Sequence, residues 1–324
     1  MKSFSFSKIA NGVLLTLSIA IGAILLEKWL GFNAILLALI IGIIIGNTIS
    51  PQEKFNAGIK FSSGRFLEIA IMLMAFGIDY GSFLKLGWET ILIVVLTMAA
   101  VLVMTLWLGK KMNCPSSAGL LVGFGTAICG STAIAALAPS VSEDKSDMGI
   151  AMAVVNLYGL LGMIFLPLLT AEWLTDIQNG ILLGASLHSV GNVAGAGFAM
   201  SDAIGEMAVT VKLGRVALLT PALLIFTQFT GKSNKTSTKD KFKLPYYLVA
   251  FILISIAVSI FPLPTDILTY AKKGSNFLLA TAMAAIGLKV SFKTLLQSGK
   301  KGLVFGAILF AVQLAVIAGL MFLL

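Results

Sequence analysis

The sequence predicts an all-α, polytopic membrane protein, and three observations lead to this fold class. The chain is 58% hydrophobic and only 11% charged, whereas soluble domains carry about 25% charged residues. Its apolar residues form runs of about 20, the length with which an α-helix crosses a bilayer. Its 23 Lys and Arg residues cluster in alternate connections between those runs, as in cytoplasmic loops. We therefore expect residues 1–324 to form a single integral membrane domain, with membrane lipid rather than nucleic acid as the partner of its basic surface.

Eleven apolar runs are predicted to be transmembrane helices, and only residues 230–245 look like a sizeable polar loop. The first run follows Lys2 and Lys8 without a small-residue cleavage site, so we expect a retained helix rather than a signal peptide. Cys114 lies in a loop and Cys129 in an apolar run, which argues against a disulfide. In chain order the runs lie near 10–29, 33–49, 66–84, 89–108, 117–139, 147–168, 180–200, 206–229, 246–263, 275–290 and 302–323.

Basic residues orient the predicted spans. With the N-terminus in the cytoplasm, 16 Lys and Arg residues fall on the cytoplasmic side and 5 on the outer side, while Lys212 and Arg215 stay within a span. This bias follows the positive-inside rule. With an odd number of spans it predicts a cytoplasmic N-terminus and an external C-terminus.

Two pairs of segments resemble each other and predict internal repeats. AIMLMAFGIDYGSFLKLG (70–87) parallels ATAMAAIGLKVSFKTLLQSG (280–299), and these two predicted spans run in opposite directions, as an inverted repeat requires. GTAICGSTAIAALA (125–138) parallels GASLHSVGNVAGAG (184–197), but these two predicted spans run in the same direction. The two pairs therefore imply different symmetries, and the first is favoured because it includes specific residues beyond small ones. A general bias toward small residues is the alternative explanation of both.

The segment 123–140 is predicted to be a broken helix. Gly123, Gly125 and Gly130 lie close together, interleaved with hydroxyl side chains, and glycine costs a helix interior about 1 kcal/mol relative to alanine. An unwound segment can offer backbone N–H groups and hydroxyls to a solute. Tight helix packing through small residues is the alternative. The candidate binding residues here are Thr126, Cys129, Gly130, Ser131 and Thr132.

The segment 184–197 carries the only histidine of the chain, His188, among four glycines. Ser186, His188 and Asn192 lie within two turns, and an ionisable residue inside a span indicates a functional site. A structural histidine bonded to a neighbouring helix is the alternative. A metal site is not expected, because neither a second histidine nor a carboxylate lies at ligand spacing.

Lys212 and Arg215 are three residues apart and share a helix face. Two cations inside a span are costly unless they pair or line a wet cavity, and they would supply positive field to an anionic solute. Alternatively, the span begins later and both side chains reach the interface. Asn156 in the sixth run is a further polar candidate, more typical of helix–helix contacts than of a ligand site.

The absence of acids from the centres of the predicted spans favours an anion over a cation, since cation exchangers usually need an intramembrane carboxylate. Glu68 and Asp79 lie near the two ends of the third run. The sequence also lacks H-E-x-x-H, G-x-S-x-G and P-loop signatures, so we expect neither an enzyme nor a bound cofactor.

These segments resemble one family. GFGTAICGSTAIAALAPSV, GASLHSVGNVAGAG and KLGRVALLTP are similar to the motifs of the YeiH-type sulfate exporter family, over most of the chain from about residue 30. The resemblance implies a multi-pass carrier of the inner membrane, distantly related to the cation–proton antiporter and bile-acid symporter folds. Those folds cross two broken helices within a core domain. The substrate that the resemblance implies is sulfate or a related sulfur oxyanion.

We therefore expect a secondary transporter, acting as an exporter of sulfate, sulfite or a sulfonate by alternating access. His188 would be a hydrogen-bond donor or proton carrier, because imidazole titrates near physiological pH, and H⁺ or Na⁺ would be the coupling ion. The alternatives are a Na⁺- or H⁺-coupled carrier of organic carboxylates on the same fold, and a channel. A homodimer is left open by the sequence.

Overall fold

The computed structural model describes residues 6–30, 33–49, 53–77, 87–112, 116–142, 145–229, 246–261, 263–290 and 300–323. These ranges are helical with short connections and contain no β-strand, which confirms the all-α prediction. The helices are α1 Phe6–Leu30, α2 Ala34–Thr48, α3 Glu53–Phe61, α4 Leu67–Met74, α5 Gly87–Lys111, α6 Ser116–Ala127, α7 Ser131–Val141, α8 Lys145–Thr170, α9 Asp176–Ser186, α10 Val190–Met200, α11 Asp202–Ala217, α12 Leu219–Phe229, α13 Tyr246–Ile260, α14 Thr265–Lys289 and α15 Lys300–Leu323. A π-helical turn, Ser62–Phe66, joins α3 to α4, and a 3₁₀ turn, Ala75–Gly77, follows α4.

Several sequence predictions fall outside the described residues. They concern Asp79, Cys114, the polar loop 230–245 and the second halves of the repeats 70–87 and 280–299.

Within the described ranges, four helices are long and apolar enough to cross a membrane. A fifth candidate is the pair α11 and α12, which are bent by 45°. The four helices contain Ile9–Leu30, Gly87–Lys111, Ser146–Thr170 and Lys300–Leu323. The predicted span 275–290 lies in α14, which has 25 residues but is not among the helices that are apolar enough. The remaining predicted spans correspond to shorter or interrupted helices, so these helices do not reach the predicted count of eleven.

The chain divides into two compact units. Unit 1 comprises 1–82, 194–206 and 245–292, and unit 2 comprises 83–193, 207–244 and 293–324. Unit 1 contains α1 to α4, α13 and α14, and unit 2 contains α5 to α9, α12 and α15.

In unit 1, α2 and α14 pack closely through small residues. A Cβ added at Gly42 would clash with the backbone carbonyl of Ala284, and one added at Gly287 would clash with that of Leu39. The Nδ2 of Asn47 also donates to the carbonyl of Val290 at 2.9 Å. Close backbone approach through glycine is the usual way in which apolar helices associate within lipid.

In unit 2, α6 and α7 fold back on each other as a hairpin. A Cβ at Gly125 would lie 2.8 Å from Cγ1 of Ile134, across the break at 128–130. Ser117, at the start of α6, and Ser142, just after α7, both donate to Oδ2 of Asp147. Because both ends of the segment reach one carboxylate, this segment turns back instead of continuing in one direction. We call α6, the break and α7 the first hairpin.

The second broken segment is α9, the break at 187–189, and α10. In unit 2, α9 lies parallel to α11, because a Cβ at Gly180 would lie 2.7 Å from Met207, and one at Gly184 would lie 2.7 Å from Val211. Two consecutive crossings, as predicted for 180–200 and 206–229, would make α9 and α11 antiparallel. The chain must therefore reverse at this break, and we call this segment the second hairpin.

The relative direction of α8 and α15 agrees with the second reversal, because the second hairpin lies between them in the chain. Gly302 faces Ile150 and Val154, Gly306 faces Val154 and Tyr158, and Gly162 faces Phe310, so α8 and α15 run parallel. Eleven single crossings would make them antiparallel. The apolar runs 117–139 and 180–200 have the length of one span, but their central breaks divide each into two half-length helices.

The close approach of α2 and α14 predicts that unit 1 does not tolerate a side chain at Gly42. We expect Gly42→Ala to lower the stability of the detergent-solubilised protein by about 1–3 kcal/mol, the usual cost of overpacking. Gly22→Ala is the matched control, because nothing lies within 4 Å of a Cβ at that position in α1. Thermal unfolding followed by intrinsic fluorescence measures both, and equal melting temperatures for the two variants would contradict the packing described.

Candidate functional site

The breaks of the two hairpins lie against each other in unit 2. Gly130, which precedes α7, has a φ of +69°, a conformation that L side chains rarely adopt. A Cβ at Gly130 would lie 3.1 Å from the carbonyl oxygen of His188, the middle residue of the other break. The glycine therefore permits both the turn of the first hairpin and its contact with the second.

Each break leaves backbone carbonyls at the C-terminal end of a half-length helix without an acceptor role inside that helix. Lys212 of α11 donates hydrogen bonds to two of these carbonyls. Its Nζ donates to the carbonyls of Ile128 and Leu187 at 2.7 and 2.6 Å, and its side chain is fully buried. One ammonium group therefore joins the ends of α6 and α9.

Arg215, one turn further along α11, joins the same two ends. Its Nη2 donates to Thr126 and Ala127 at 3.1 and 2.7 Å, and its Nη1 donates to Gly184 and Leu187 at 3.2 and 3.4 Å. The guanidinium fork suits this task because its donors point in fixed, divergent directions.

Gln313 of α15 is the third donor, and it was not among the residues predicted from the sequence. Its Nε2 donates to the carbonyls of Ala185 and Thr126 at 3.0 and 3.4 Å, and its side chain is fully buried. A signal existed in the sequence, since Gln313 is the only polar side chain between residues 303 and 323.

The acceptors of Lys212 and Gln313 come in equivalent pairs. When GTAICGSTAIAALA (125–138) is aligned with GASLHSVGNVAGAG (184–197), Ile128 matches Leu187 and Thr126 matches Ala185. Lys212 binds the first pair and Gln313 binds the second. Each donor therefore contacts corresponding carbonyls of both hairpins, which is what a local two-fold relation between the two breaks would produce.

Charge is balanced locally by helix dipoles. The C-terminal end of a helix carries about half a negative charge, and two such ends face two buried cations. Among the described residues, neither Lys212 nor Arg215 has a salt bridge to an acid within 4 Å. The two cations that the sequence suggested as a positive field for a solute are thus bonded to backbone carbonyls.

The N-terminal ends of the other two half-helices differ from each other. The Oγ of Ser189 accepts the backbone N–H of Asn192 at 3.1 Å and so caps α10. At α7 the capping position is Gly130, which has no side chain to accept a hydrogen bond. The first turn of α7 therefore has no acceptor side chain at its capping position, although the backbone N–H of Ala133 and the hydroxyl of Thr132 bond to the Cys129 thiol. The N-terminal end of a helix is a known anion-binding arrangement.

Ser131 and Thr132 lie at this uncapped end. Thr132 is exposed, and the Oγ of half-buried Ser131 donates to Oδ1 of Asn156 on α8 at 3.2 Å. Asn156, which the sequence suggested as a buried helix contact, is exposed. These three side chains form an accessible polar group that we call the α7 patch.

The other predicted site residues are buried. Thr126 contributes its carbonyl to Arg215 and Gln313, and Cys129 is a buried free thiol. The Oγ of Ser186 and both ring nitrogens of His188 have no hydrogen-bond partner among the described residues. The ring of His188 packs on that of Phe310 with centroids 5.3 Å apart.

Asn192 is also buried and lies beside α8. A Cβ at Gly159 would clash with its Nδ2 and would approach Cβ of His188 to 3.3 Å. The structure thus separates the predicted residues into a buried set around the breaks and the accessible α7 patch.

Comparison with known proteins identifies relatives of this chain. Residues 11–306 match the family described as "Conserved hypothetical protein 698". The UPF0324 inner membrane protein YeiH of Escherichia coli strain K12 is 31% identical over 291 residues, covering 87% of this chain and 83% of the relative. A UPF0324 membrane protein of Helicobacter hepaticus is 32% identical over 308 residues, covering 88% and 89%. These matches confirm the resemblance to the YeiH-type family.

Among solved structures, the sodium proton antiporter MjNhaP1 from Methanocaldococcus jannaschii aligns with 93% of this chain and 98% of its own. The alignment has a TM-score of 0.31 and 13% sequence identity.

The bonds of Lys212 predict a large effect of its removal on stability. Lys212→Met deletes the donor that two buried carbonyls share, and an unsatisfied buried polar group costs about 1–3 kcal/mol. We expect a clear fall in the melting temperature of the purified protein. Lys110→Met is the control, because Lys110 is exposed at the end of α5. If Lys212→Met and the wild type have the same melting temperature, the ammonium does not hold the two hairpins together.

Proposed function

This chain belongs to the family of conserved hypothetical protein 698, and from that premise we propose that it is a secondary transporter of a small anion such as sulfate, sulfite or a sulfonate. The observation that carries the proposal is that the four ends of the half-length helices at the breaks differ in their hydrogen-bond partners. The two carbonyl ends are bonded to Lys212, Arg215 and Gln313, one N-terminal end is capped by Ser189, and the N-terminal end of α7 has no side-chain cap.

The hydrogen bonding of these helix ends supports a negatively charged solute. A cation would need the carbonyl ends, which already bind two cations of the protein. An anion would find the positive end of the α7 dipole and the hydroxyls of Ser131 and Thr132. Discontinuous helices whose N-terminal ends face an anionic group are a recurrent feature of secondary transporters.

We propose that both hairpins are re-entrant and enter the membrane from opposite faces. The first would start at the cytoplasmic face and the second at the outer face, so that their breaks meet near the midplane. Nine other segments would cross, which keeps the N-terminus in the cytoplasm and the C-terminus outside. Irregular backbone at that depth is tolerated where it is buried in protein or lines a cavity.

The positive-inside rule supports this topology. Only Lys145 changes side relative to eleven single crossings, which raises the cytoplasmic count of basic residues from 16 to 17 and lowers the outer count from 5 to 4. The repeat 125–138 and 184–197 also becomes an inverted pair, in agreement with the repeat 70–87 and 280–299.

His188 is the residue that we propose for proton coupling. It is the only imidazole of the chain, it lies at the contact between the two breaks, and its ring nitrogens are not used in hydrogen bonds by the described residues. The names of relatives such as YeiH support an inner-membrane location.

Binding of the transported anion at the α7 patch predicts an anion flux that depends on the hydroxyls of Ser131 and Thr132. In proteoliposomes we expect saturable uptake of sulfate, sulfite or taurine, and about a hundredfold loss or more for the Ser131→Ala, Thr132→Val double variant, since each lost hydrogen bond to a charged group costs about 1.5–3 kcal/mol. Thr48→Val is the control, because Thr48 is an exposed threonine bonded within its own helix.

Two outcomes would contradict this assignment. Undiminished flux in the double variant would remove the α7 patch from the pathway, and the absence of flux for all three anions in wild type would refute the substrate class. A flux of Na⁺ without any anion would favour a cation carrier instead.

A further inference from the structure

Three basic residues around the π-helical turn of unit 1 play no part in the hairpin site. Arg65 is balanced by an acid, because its Nη1 lies 2.9 Å from Oε2 of Glu68. Lys60 and Lys289 are both exposed, and neither forms a salt bridge with another residue of the described ranges. The charges of these two ammonium groups are therefore left for an anion from outside the protein.

The π-helical turn Ser62–Phe66 brings the two lysines together. The Nζ of Lys289, the last residue of α14, donates to the Oγ of Ser63 at 3.4 Å, and that Oγ donates to the carbonyl of Lys60 at 3.3 Å. Lys60 is also close enough for its charge to repel that of Lys289. Single π-helical turns occur frequently at functional sites. An anion between the two ammonium groups would relieve their repulsion.

Both ammonium groups keep donors for such an anion. An ammonium has three N–H donors, and Lys289 uses one of them on Ser63. The single hydrogen of the Ser63 hydroxyl goes to the carbonyl of Lys60, so Ser63 positions Lys289 and does not itself donate to an anion. Gly64 leaves room, because nothing lies within 4 Å of a Cβ built at that position.

The chain around the π-helical turn runs parallel to α1. A Cβ at Gly12 would lie 2.7 Å from Cα of Gly58, and Oγ1 of Thr16 lies 2.8 Å from Oγ of Ser62. The two contacts have the same separation in sequence, which fixes the level of each residue of the turn relative to α1.

This level indicates where the anion comes from. The backbone of Lys60 is level with Leu14 of α1, and the apolar span of α1 begins at Ile9. Five residues of helix correspond to about 8 Å, and Leu14 is 61% exposed. The lysines thus lie inside the membrane boundary that α1 sets, where acyl chains hold a lipid phosphate. Basic pockets between membrane helices bind anionic head groups in other proteins.

We propose that Lys60 and Lys289 bind the phosphate of an anionic phospholipid, with Ser63 as the residue that positions Lys289. The half-buried rings of Phe61 and Phe66, whose centroids lie 5.4 Å apart, offer apolar contacts to the glycerol and first methylene groups of the lipid. A soluble phosphate carries the same charge but lacks the chains that hold it beside α1. No residue of this site belongs to the hairpins, so equilibrium binding tests it without a flux measurement.

Three probes separate the lipid from its phosphate. Phosphatidylglycerol has an anionic head group, phosphatidylcholine has the same phosphate without net charge, and inorganic phosphate has no acyl chains. With the delipidated full-length protein in detergent, we expect native mass spectrometry and thermal shift to report saturable binding of phosphatidylglycerol. Binding of phosphatidylcholine should be roughly tenfold weaker, and inorganic phosphate at the same concentration should give no shift.

Substitutions assign the phosphate to the two lysines. Lys60→Met and Lys289→Met should each weaken phosphatidylglycerol about fivefold, and the double variant should weaken it about 25-fold, because each lysine contributes separately to attraction of the head group. The Lys110→Met, Lys111→Met double variant is the matched control, since it removes the same charge from exposed positions at the end of α5.

A further variant keeps both lysines. Gly64→Glu places a carboxylate four residues after Lys60, within reach of its ammonium, in space that is empty in the wild type. We expect it to weaken phosphatidylglycerol roughly fivefold by competing with the phosphate. Gly64→Gln has the same shape without the charge and should bind the lipid as the wild type does. This pair keeps the test decisive if the lysine double variant does not fold.

Three results would overturn the proposal. They are equal affinities for phosphatidylglycerol and phosphatidylcholine, the same affinity in the variants of the site as in their controls, or stabilisation by inorganic phosphate that matches that by the lipid. Loss of anion flux in the hairpin variants with intact lipid binding would leave this assignment standing, so the two proposals fail separately.

Discussion

Six backbone carbonyls at the C-terminal ends of α6 and α9 constrain the rest of unit 2. A helix that stops inside an apolar environment leaves acceptors that neither water nor lipid satisfies. Here Lys212, Arg215 and Gln313 donate to them, and each donor reaches both hairpins. Breaking the helices and burying two cations would each be costly alone, but together the two costs offset each other. The hairpins, α11 and α15 are thereby held as one structure.

The same arrangement decides which charges are left for a solute. Because the two cations serve the carbonyl ends, the positive ends available to a ligand are those of the helices that start after the breaks. Ser189 caps one of them and glycine precedes the other, so the α7 patch differs from its counterpart in chemistry even though the two segments resemble each other in sequence. This asymmetry within a repeated element is where we place the anion site.

The breaks and the buried cations could be predicted from the sequence, but the hydrogen bonds that connect them could not. Glycine clusters at 123–130 and around His188 were visible because glycine weakens helices, and Lys212 and Arg215 stood out within an apolar run. The hydrogen-bond partners of Lys212 and Arg215 could not be predicted, because backbone carbonyls carry no sequence signature. Gln313 was overlooked as a single amide in an otherwise apolar helix.

The reversal of each broken segment was also missed, for a physical reason. A hairpin of two half-length helices and a single helix that spans the bilayer have the same length and the same hydropathy. Only contacts between distant residues separate them, such as the approach of both Ser117 and Ser142 to Asp147. The accessibility of cysteines introduced after each hairpin base tests this central claim most directly, with Ser146→Cys and Trp173→Cys in a background without Cys114 and Cys129. Re-entrant hairpins predict that a membrane-impermeant maleimide labels position 173 from outside and position 146 only from the cytoplasmic side, whereas the reverse pattern would show that both segments cross the membrane.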